Sequence, residues 1–319
     1  MKTGTKVILT ILGVLVVLLS LLTIFAPQLA FNFMFTRPSR STKVPSFYKD
    51  TPHYKASQPG LAVLRSIPSE DVYITSRDGL KLHAYFYPAD ESKVVPGEAP
   101  KFVVGVHGYR SYSRPEFGPY VDFYRSLGFN ILLPDDRAHA PSEGDYIGFG
   151  VLDRLDCVDW TKYVVDRFGE DVEIMLHGVS MGAATVVSAS GEADLPQQVM
   201  GVVSDCGFSN AWDVLQFQFK QMHAPVNYLL PRLEKLCEKK IGFNFHDHSA
   251  VEQVKNSRVP MFFVQGALDD MVPAYMAQEL YDACPTEKRI MVVEEAAHGE
   301  SVAFAPDEYF KTIRELFGL

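Results

Sequence analysis

Residues 177–182 read His177-Gly178-Val179-Ser180-Met181-Gly182, which sets one hydroxyl between two glycines in a G-x-S-x-G spacing. A serine hydroxyl is a poor nucleophile until a base takes its proton, and that base needs an acid to orient it. Downstream of Ser180 the histidines are His223, His246, His248 and His298. The acidic residues that follow apolar runs are Asp205, Asp269 and Asp270. These residue types together suit acyl transfer, with serine as nucleophile, histidine as base and a carboxylate behind it.

Such groups react only when the chain holds them at fixed positions, so the elements around them matter. Val72–Thr75 and Leu80–Tyr87, separated by Arg77-Asp78-Gly79, read as an antiparallel pair. Six short apolar runs then alternate with helical patterns: Lys101–Val106, Asn130–Leu133, Val172–Leu176, Val199–Val203, Met261–Val264 and Arg289–Val293. Runs of this kind are strands buried on both faces, and their alternation with helices predicts a mainly parallel sheet covered on both sides. In such sheets active sites gather at the carboxyl ends of the strands.

Ser180 sits at one such end, between the run Val172–Leu176 and the Ala/Val-rich stretch from Ala183. By chance the three-residue pattern would occur in roughly one chain in ten of this length. Its placement after a strand and before a helix is what makes it informative, because small residues must flank a serine on a strained strand-to-helix turn. His298 follows the last strand, whereas His223, His246 and His248 fall between residues 209 and 257. Asp269 and Asp270 follow the next-to-last strand, and Asp205 the one before it.

Gln265-Gly266-Ala267-Leu268-Asp269-Asp270-Met271-Val272-Pro273 resembles the G-x-x-D-x-x-V-P acid loop of α/β-hydrolases, a register that selects Asp269 over Asp270 and leaves Asp205 a structural residue. His107-Gly108-Tyr109-Arg110 resembles the His-Gly oxyanion loop of that family. It implies an oxyanion hole made by the backbone N–H groups of Tyr109 and Met181. Leu133–Ser142 (LPDDRAHAPS) is similar to the family's D-x-R-G-H-G-x-S segment, with alanines at 138 and 140 in place of both glycines and His139 in a structural role. The resemblance covers about Asp71 to Leu319 and is nearest to the bacterial branch around monoacylglycerol lipases and serine aminopeptidases. It implies an α/β-hydrolase fold with the triad Ser180, Asp269 and His298 and no metal or organic cofactor.

The first thirty residues carry a different signal. Val7–Ala26 is a run of twenty residues without a charge, flanked by Lys2 and Lys6. About twenty apolar residues in a helix span a bilayer, and the run is longer than the apolar region of a signal peptide, about 7–15 residues. A single-pass membrane anchor over residues 1–30 is expected. The lysines lie closer to the span than Arg37, Arg40 and Lys43 beyond it, which directs the catalytic domain to the extracytoplasmic side. Residues 31–68, rich in Pro, Ser, Tyr and Lys, read as a tether between membrane and domain that packs in part on the surface, and 69–319 as the hydrolase domain.

Within that domain residues 209–257 exceed a single crossover helix. Helical signals at Trp212–Gln221 and Tyr228–Lys239, broken at Pro225 and Pro231, read either as a cap over the strand ends or as two packing helices. Trp212, Phe217, Phe219, Met222 and Tyr228 hint at an apolar acyl pocket there.

Composition narrows the function classes. Hydrophobic residues make up 47% and charged residues 22%, an ordinary globular balance. The net charge of −9 speaks against a nucleic-acid partner, which would need clustered Lys and Arg. Cys157, Cys206, Cys237 and Cys284 include no C-x-x-C pair to seed a metal site. A Cys206–Cys237 bond stays open if the domain faces an oxidising compartment. The expectation is therefore a serine hydrolase that cleaves a small-molecule or lipid-derived carboxylic ester. A peptidase, amidase or thioesterase would use the same residues. A tethered binding module without catalysis is the rival of another class.

Overall fold

The computed structural model describes residues 3–38, 49–139 and 141–319, less the side chains at 3, 5–7, 9, 16–19 and 21–22. Eight strands form one sheet: β1 (Glu70–Thr75), β2 (Lys81–Tyr87), β3 (Lys101–Val106), β4 (Phe129–Asp135), β5 (Glu173–Val179), β6 (Val199–Asp205), β7 (Met261–Gly266) and β8 (Lys288–Val293). Their spatial order is β1-β2-β4-β3-β5-β6-β7-β8. β2 pairs antiparallel with β1 and β4, and every other pairing is parallel. The six apolar runs and the antiparallel pair all fall on strands, and β3 to β7 are buried along nearly their whole length.

The order reverses between β3 and β5: the chain leaves β3 towards β4 and returns to β5 before continuing outward. Loops at the ends of these two neighbours diverge and leave a crevice between them, the place where open α/β sheets bind ligands. The helix Met181–Ser190, which follows β5, is buried at every position. Its Ala183, Ala184 and Ala189 keep it slim enough to lie between the sheet and the helix Asp153–Phe168.

Between β6 and β7 lie two helices, Ala211–Gln221 and Val226–Lys240. The Asn210 side chain caps the first by accepting from the N–H groups of Trp212 and Asp213. Pro231, expected to break the second, lies inside it, where it forfeits one backbone hydrogen bond. The buried face of Leu229, Leu230, Leu233 and Cys237 holds that helix in spite of the loss.

The N-terminal region departs most from expectation. One helix runs from Thr3 to Phe35, and a second from Pro52 to Ser66. Much of the stretch read as a tether is therefore packed structure: Phe31 and Phe35 are fully buried, and Leu61 and Leu64 are buried beside the domain. Phe31 and Phe35 stack at 5.6 Å and reach Tyr146, Phe149 and Phe245. The anchor expected over Val7–Ala26 falls on the first helix, part of whose side chains lie outside the described residues. Among the described residues no helix is long and apolar enough to cross a membrane. Lys2, Arg40, Lys43 and Ala140 lie outside the described residues, as does the side chain of Lys6. Arg37 is bound to the domain, donating to the Gly144 carbonyl at 3.1 Å.

Candidate active site

Ser180 directly follows β5 with φ 57° and ψ −118°, a conformation that costs an L-residue on the order of 1–3 kcal/mol. Its two glycines are explained by close backbone approach. A Cβ on Gly178 would lie 2.1 Å from the Gly182 carbonyl oxygen, and one on Gly182 would lie 2.2 Å from that of Val106. The Ser180 N–H donates to the Asp205 carbonyl on β6 at 2.8 Å, which pins the turn from the side. The hydroxyl is thus held above the sheet at a helix N-terminus, where negative charge is favoured.

Strand register decides which loops meet there. Val106 pairs with Gly178, so His107 and Gly108 come beside Val179 and Ser180. A Cβ on Gly108 would touch the Ser180 Cβ at 3.2 Å. On the other side, Gly266 pairs with Val293, so the loops after β7 and β8 run together. The Leu268 N–H donates to the Ala296 carbonyl at 3.0 Å, one residue before Asp269 and two before His298.

His298 Nε2 lies 2.8 Å from Ser180 Oγ, and its Nδ1 lies 2.7 Å from Asp269 Oδ2. Asp269 is buried and fully engaged: Oδ1 accepts from the N–H groups of Met271 and Val272, each at 2.8 Å, and Oδ2 also accepts from Gln265 Nε2 at 2.7 Å. Burial alone would lower the pKa of His298, but the hydrogen bond and charge of Asp269 outweigh it and hold the imidazole above its usual value. Asp270 is exposed, and His223, His246 and His248 are exposed on the segment between β6 and β7. Asp205 is buried below the turn, accepting from the Tyr120 hydroxyl at 2.9 Å, and burial pushes its carboxyl up to about 6.

The loop after β3 is braced by two histidines. His107 Nε2 accepts from the Asp136 N–H at 3.0 Å, and His139 Nε2 accepts from the Arg110 N–H at 3.0 Å while its Nδ1 donates to the Arg137 carbonyl. Burial pushes the His139 pKa well down, which keeps that accepting nitrogen free of a proton. Ala138 stands where the resembling segment has glycine and takes φ 62°, so the left-handed turn survives the substitution. Tyr109 and Met181 line one cavity with Ser180 and His298.

Three contributors had no signal in the sequence. His53, on the second helix, meets the Gly299 carbonyl at 2.7 Å and ties that helix to the loop of His298. Gln265, the penultimate residue of β7, reads as an ordinary strand residue yet orients Asp269. Glu116, which accepts from the Ser111 hydroxyl, adds negative charge that raises the His298 pKa further. All four cysteines are free and buried, so the Cys206–Cys237 bond does not form. Among the described residues Cys206, Asp269 and His298 are the one group of three with donor atoms close enough to share a cation, within 4.8 Å. A metal there would have to take His298 Nε2 from Ser180.

The cavity has a volume of about 480 Å³, within the roughly 300–1,000 Å³ of small-molecule sites. Apart from Ser180, His298 and Gln218 its wall is apolar, with Phe149, Phe208, Leu215 and Phe219 among the lining residues.

No family profile matches the chain. It is 24% identical over 233 residues to the uncharacterized protein YqkD of Bacillus subtilis, covering 73% of this chain and 76% of that one. It is 26% identical over 255 residues to the uncharacterized membrane protein YNL320W of Saccharomyces cerevisiae, covering 79% and 80%. Among known structures, the Pyrococcus furiosus esterase Pf2001 superposes with a TM-score of 0.64 at 22% identity, covering 89% of this chain and 97% of that one. A Pyrococcus horikoshii acylaminoacyl peptidase superposes with a TM-score of 0.58 at 18% identity, covering 81% and 42%. Sheet order, the turn at Ser180 and these superpositions agree that the chain has the α/β-hydrolase fold.

Proposed function

We propose that this protein is a serine hydrolase that cleaves a carboxylic ester through an acyl-enzyme on Ser180. The observation that carries the reading is the unbroken hydrogen-bonded run from Ser180 Oγ through His298 to Asp269, opening into an apolar cavity. His298 Nε2 takes the hydroxyl proton as Ser180 Oγ attacks the ester carbonyl. The N–H groups of Tyr109 and Met181 take the developing oxyanion. His298 then protonates the leaving alcohol, and after it departs draws a proton from water, whose attack frees the acid. Asp269 holds the imidazole in the tautomer this requires and offsets its positive charge.

The apolar wall favours an acyl chain over a charged or peptidic group. The uncharged run Val7–Ala26 favours attachment of the enzyme to a membrane by its N-terminal helix, with the catalytic domain outside; the yeast relative is described as a membrane protein. Retention in the membrane fraction under alkaline carbonate extraction would support the attachment, and release would refute it. For the chemistry, Ser180→Ala should lower kcat on p-nitrophenyl butyrate by at least about three orders of magnitude and abolish fluorophosphonate labelling. An unlabelled wild-type protein, or a fully active Ser180→Ala variant, would refute the assignment.

A further inference from the structure

The N-terminal helix enters the catalytic crevice. An α-helix leaves its last four carbonyls without partners in the helix, and here other groups take every one. The Asn32 carbonyl accepts from the Thr36 hydroxyl, that of Phe33 from the Arg110 guanidinium, that of Met34 from the Tyr109 hydroxyl at 2.7 Å, and that of Phe35 from the Ile147 N–H at 2.8 Å. Two of these donors, Tyr109 and Arg110, belong to the loop beside Ser180. The Arg110 guanidinium also lies 5.3 Å from the Phe33 ring centroid, a cation at the negative end of the helix. Nearer the N-terminus, the Tyr228 hydroxyl from the segment between β6 and β7 donates to the Thr23 carbonyl at 2.5 Å.

One face of the helix is therefore fastened to the domain, by Phe31 and Phe35, and the adjoining face borders the cavity. Leu29, Ala30, Phe33 and Met34 line the same space as Ser180 and His298. Four lining residues are exposed and so form its rim: Leu29 and Phe33 from the helix, Met222 just after Ala211–Gln221, and Met271 beside Asp269. Phe33 is 71% exposed and Met222 68%, and no Asp, Glu, Lys or Arg lines the cavity.

Resting on the serine-hydrolase reading, we infer that the N-terminal helix is a specificity-determining wall of this active site, and that the substrate is an ester with an extended aliphatic acyl chain lying between that helix and Met222. Each buried methylene gains roughly fourfold in binding. The ratio of kcat/KM for p-nitrophenyl octanoate over p-nitrophenyl acetate therefore measures the wall. The cavity also sets an upper length, beyond which added methylenes stay in solvent and the gain stops.

The test uses the full chain. Wild type should prefer octanoate over acetate by at least about a hundredfold, and the double variant Leu29→Asp/Phe33→Asp should reduce that preference at least tenfold, chiefly through KM. Both positions are exposed, so circular dichroism should stay that of wild type, while loss of the Phe33 ring from Arg110 and an added carboxylate near the helix end should lower the melting temperature only slightly. Val95→Asp, an exposed apolar position remote from the cavity, should leave the preference unchanged. A double variant that keeps its preference within twofold overturns the inference, as does a wild type that labels with fluorophosphonate yet shows no chain-length preference. Absence of both labelling and ester turnover in wild type overturns the reading of Ser180 itself.

Discussion

His298 Nδ1 lies 2.7 Å from Oδ2 of Asp269, while Asp270, the next residue, is exposed. Asp269 and Asp270 are equivalent in type and nearly so in position, and the turn at residues 269–272 separates them. Two backbone N–H groups converge on Asp269 Oδ1, which fixes the carboxylate and aims Oδ2 at the histidine.

Asp269→Asn should therefore be far more damaging than Asp270→Asn. An asparagine must keep its oxygen on the Met271 and Val272 N–H groups, which turns its NH2 towards His298 Nδ1. The imidazole then has to carry its proton on Nε2, where it cannot accept one from Ser180. A fall of about 10⁴ in kcat is expected for Asp269→Asn and less than twofold for Asp270→Asn, read from steady-state ester hydrolysis. Equal losses in the two variants would reverse the assignment.

The pH dependence follows from the raised pKa of His298. Only the neutral imidazole can accept the Ser180 proton, so kcat/KM should climb as pH rises through a value above the ordinary histidine pKa of about 6.5 and level off beyond it. Asp269→Asn removes the main raising influence, so the residual activity should show its acid limb at lower pH. The same shift affects stability. Protonated His298 stabilises the fold fully below its unfolded pKa, and that contribution is lost as pH rises through the folded one. Acid limbs at the same pH in both proteins would contradict this account.

Gly178→Ala and Gly182→Ala should each lower the melting temperature and end fluorophosphonate labelling. The added methyl group would overlap a carbonyl oxygen at about 2 Å in both cases, and those oxygens belong to backbone that cannot swing aside. The cost is expected to reach or exceed the ~1–3 kcal/mol typical of overpacking. Gly13→Ala, with nothing within 4 Å, should change neither property. Normal labelling of either active-site variant would show that the turn tolerates a Cβ.

The eight strands and the G-x-S-x-G turn were legible because their causes are local. Buried strands need short unbroken apolar runs, and a strained serine turn needs small flanking residues, so both leave marks within a few positions. Ser180 and His298 could be read from their places after strands alone. Asp269 needed the resemblance of its loop, because nothing local to residues 265–273 says which of two adjacent carboxylates turns inward.

Tertiary structure decided what depends on register and distant packing. The pairing of Val106 with Gly178 brings Gly108 against Ser180, and the pairing of Gly266 with Val293 lets Asp269 meet His298 across 29 residues of chain. The N-terminal helix is the clearest case. Its apolar side chains announced an environment without water and nothing more, since a membrane and a protein interior select the same residues. That Phe31 and Phe35 face the domain, and that Tyr109 and Arg110 close the helix end, depends on groups more than seventy residues away, and no pattern within residues 3–35 encodes their positions.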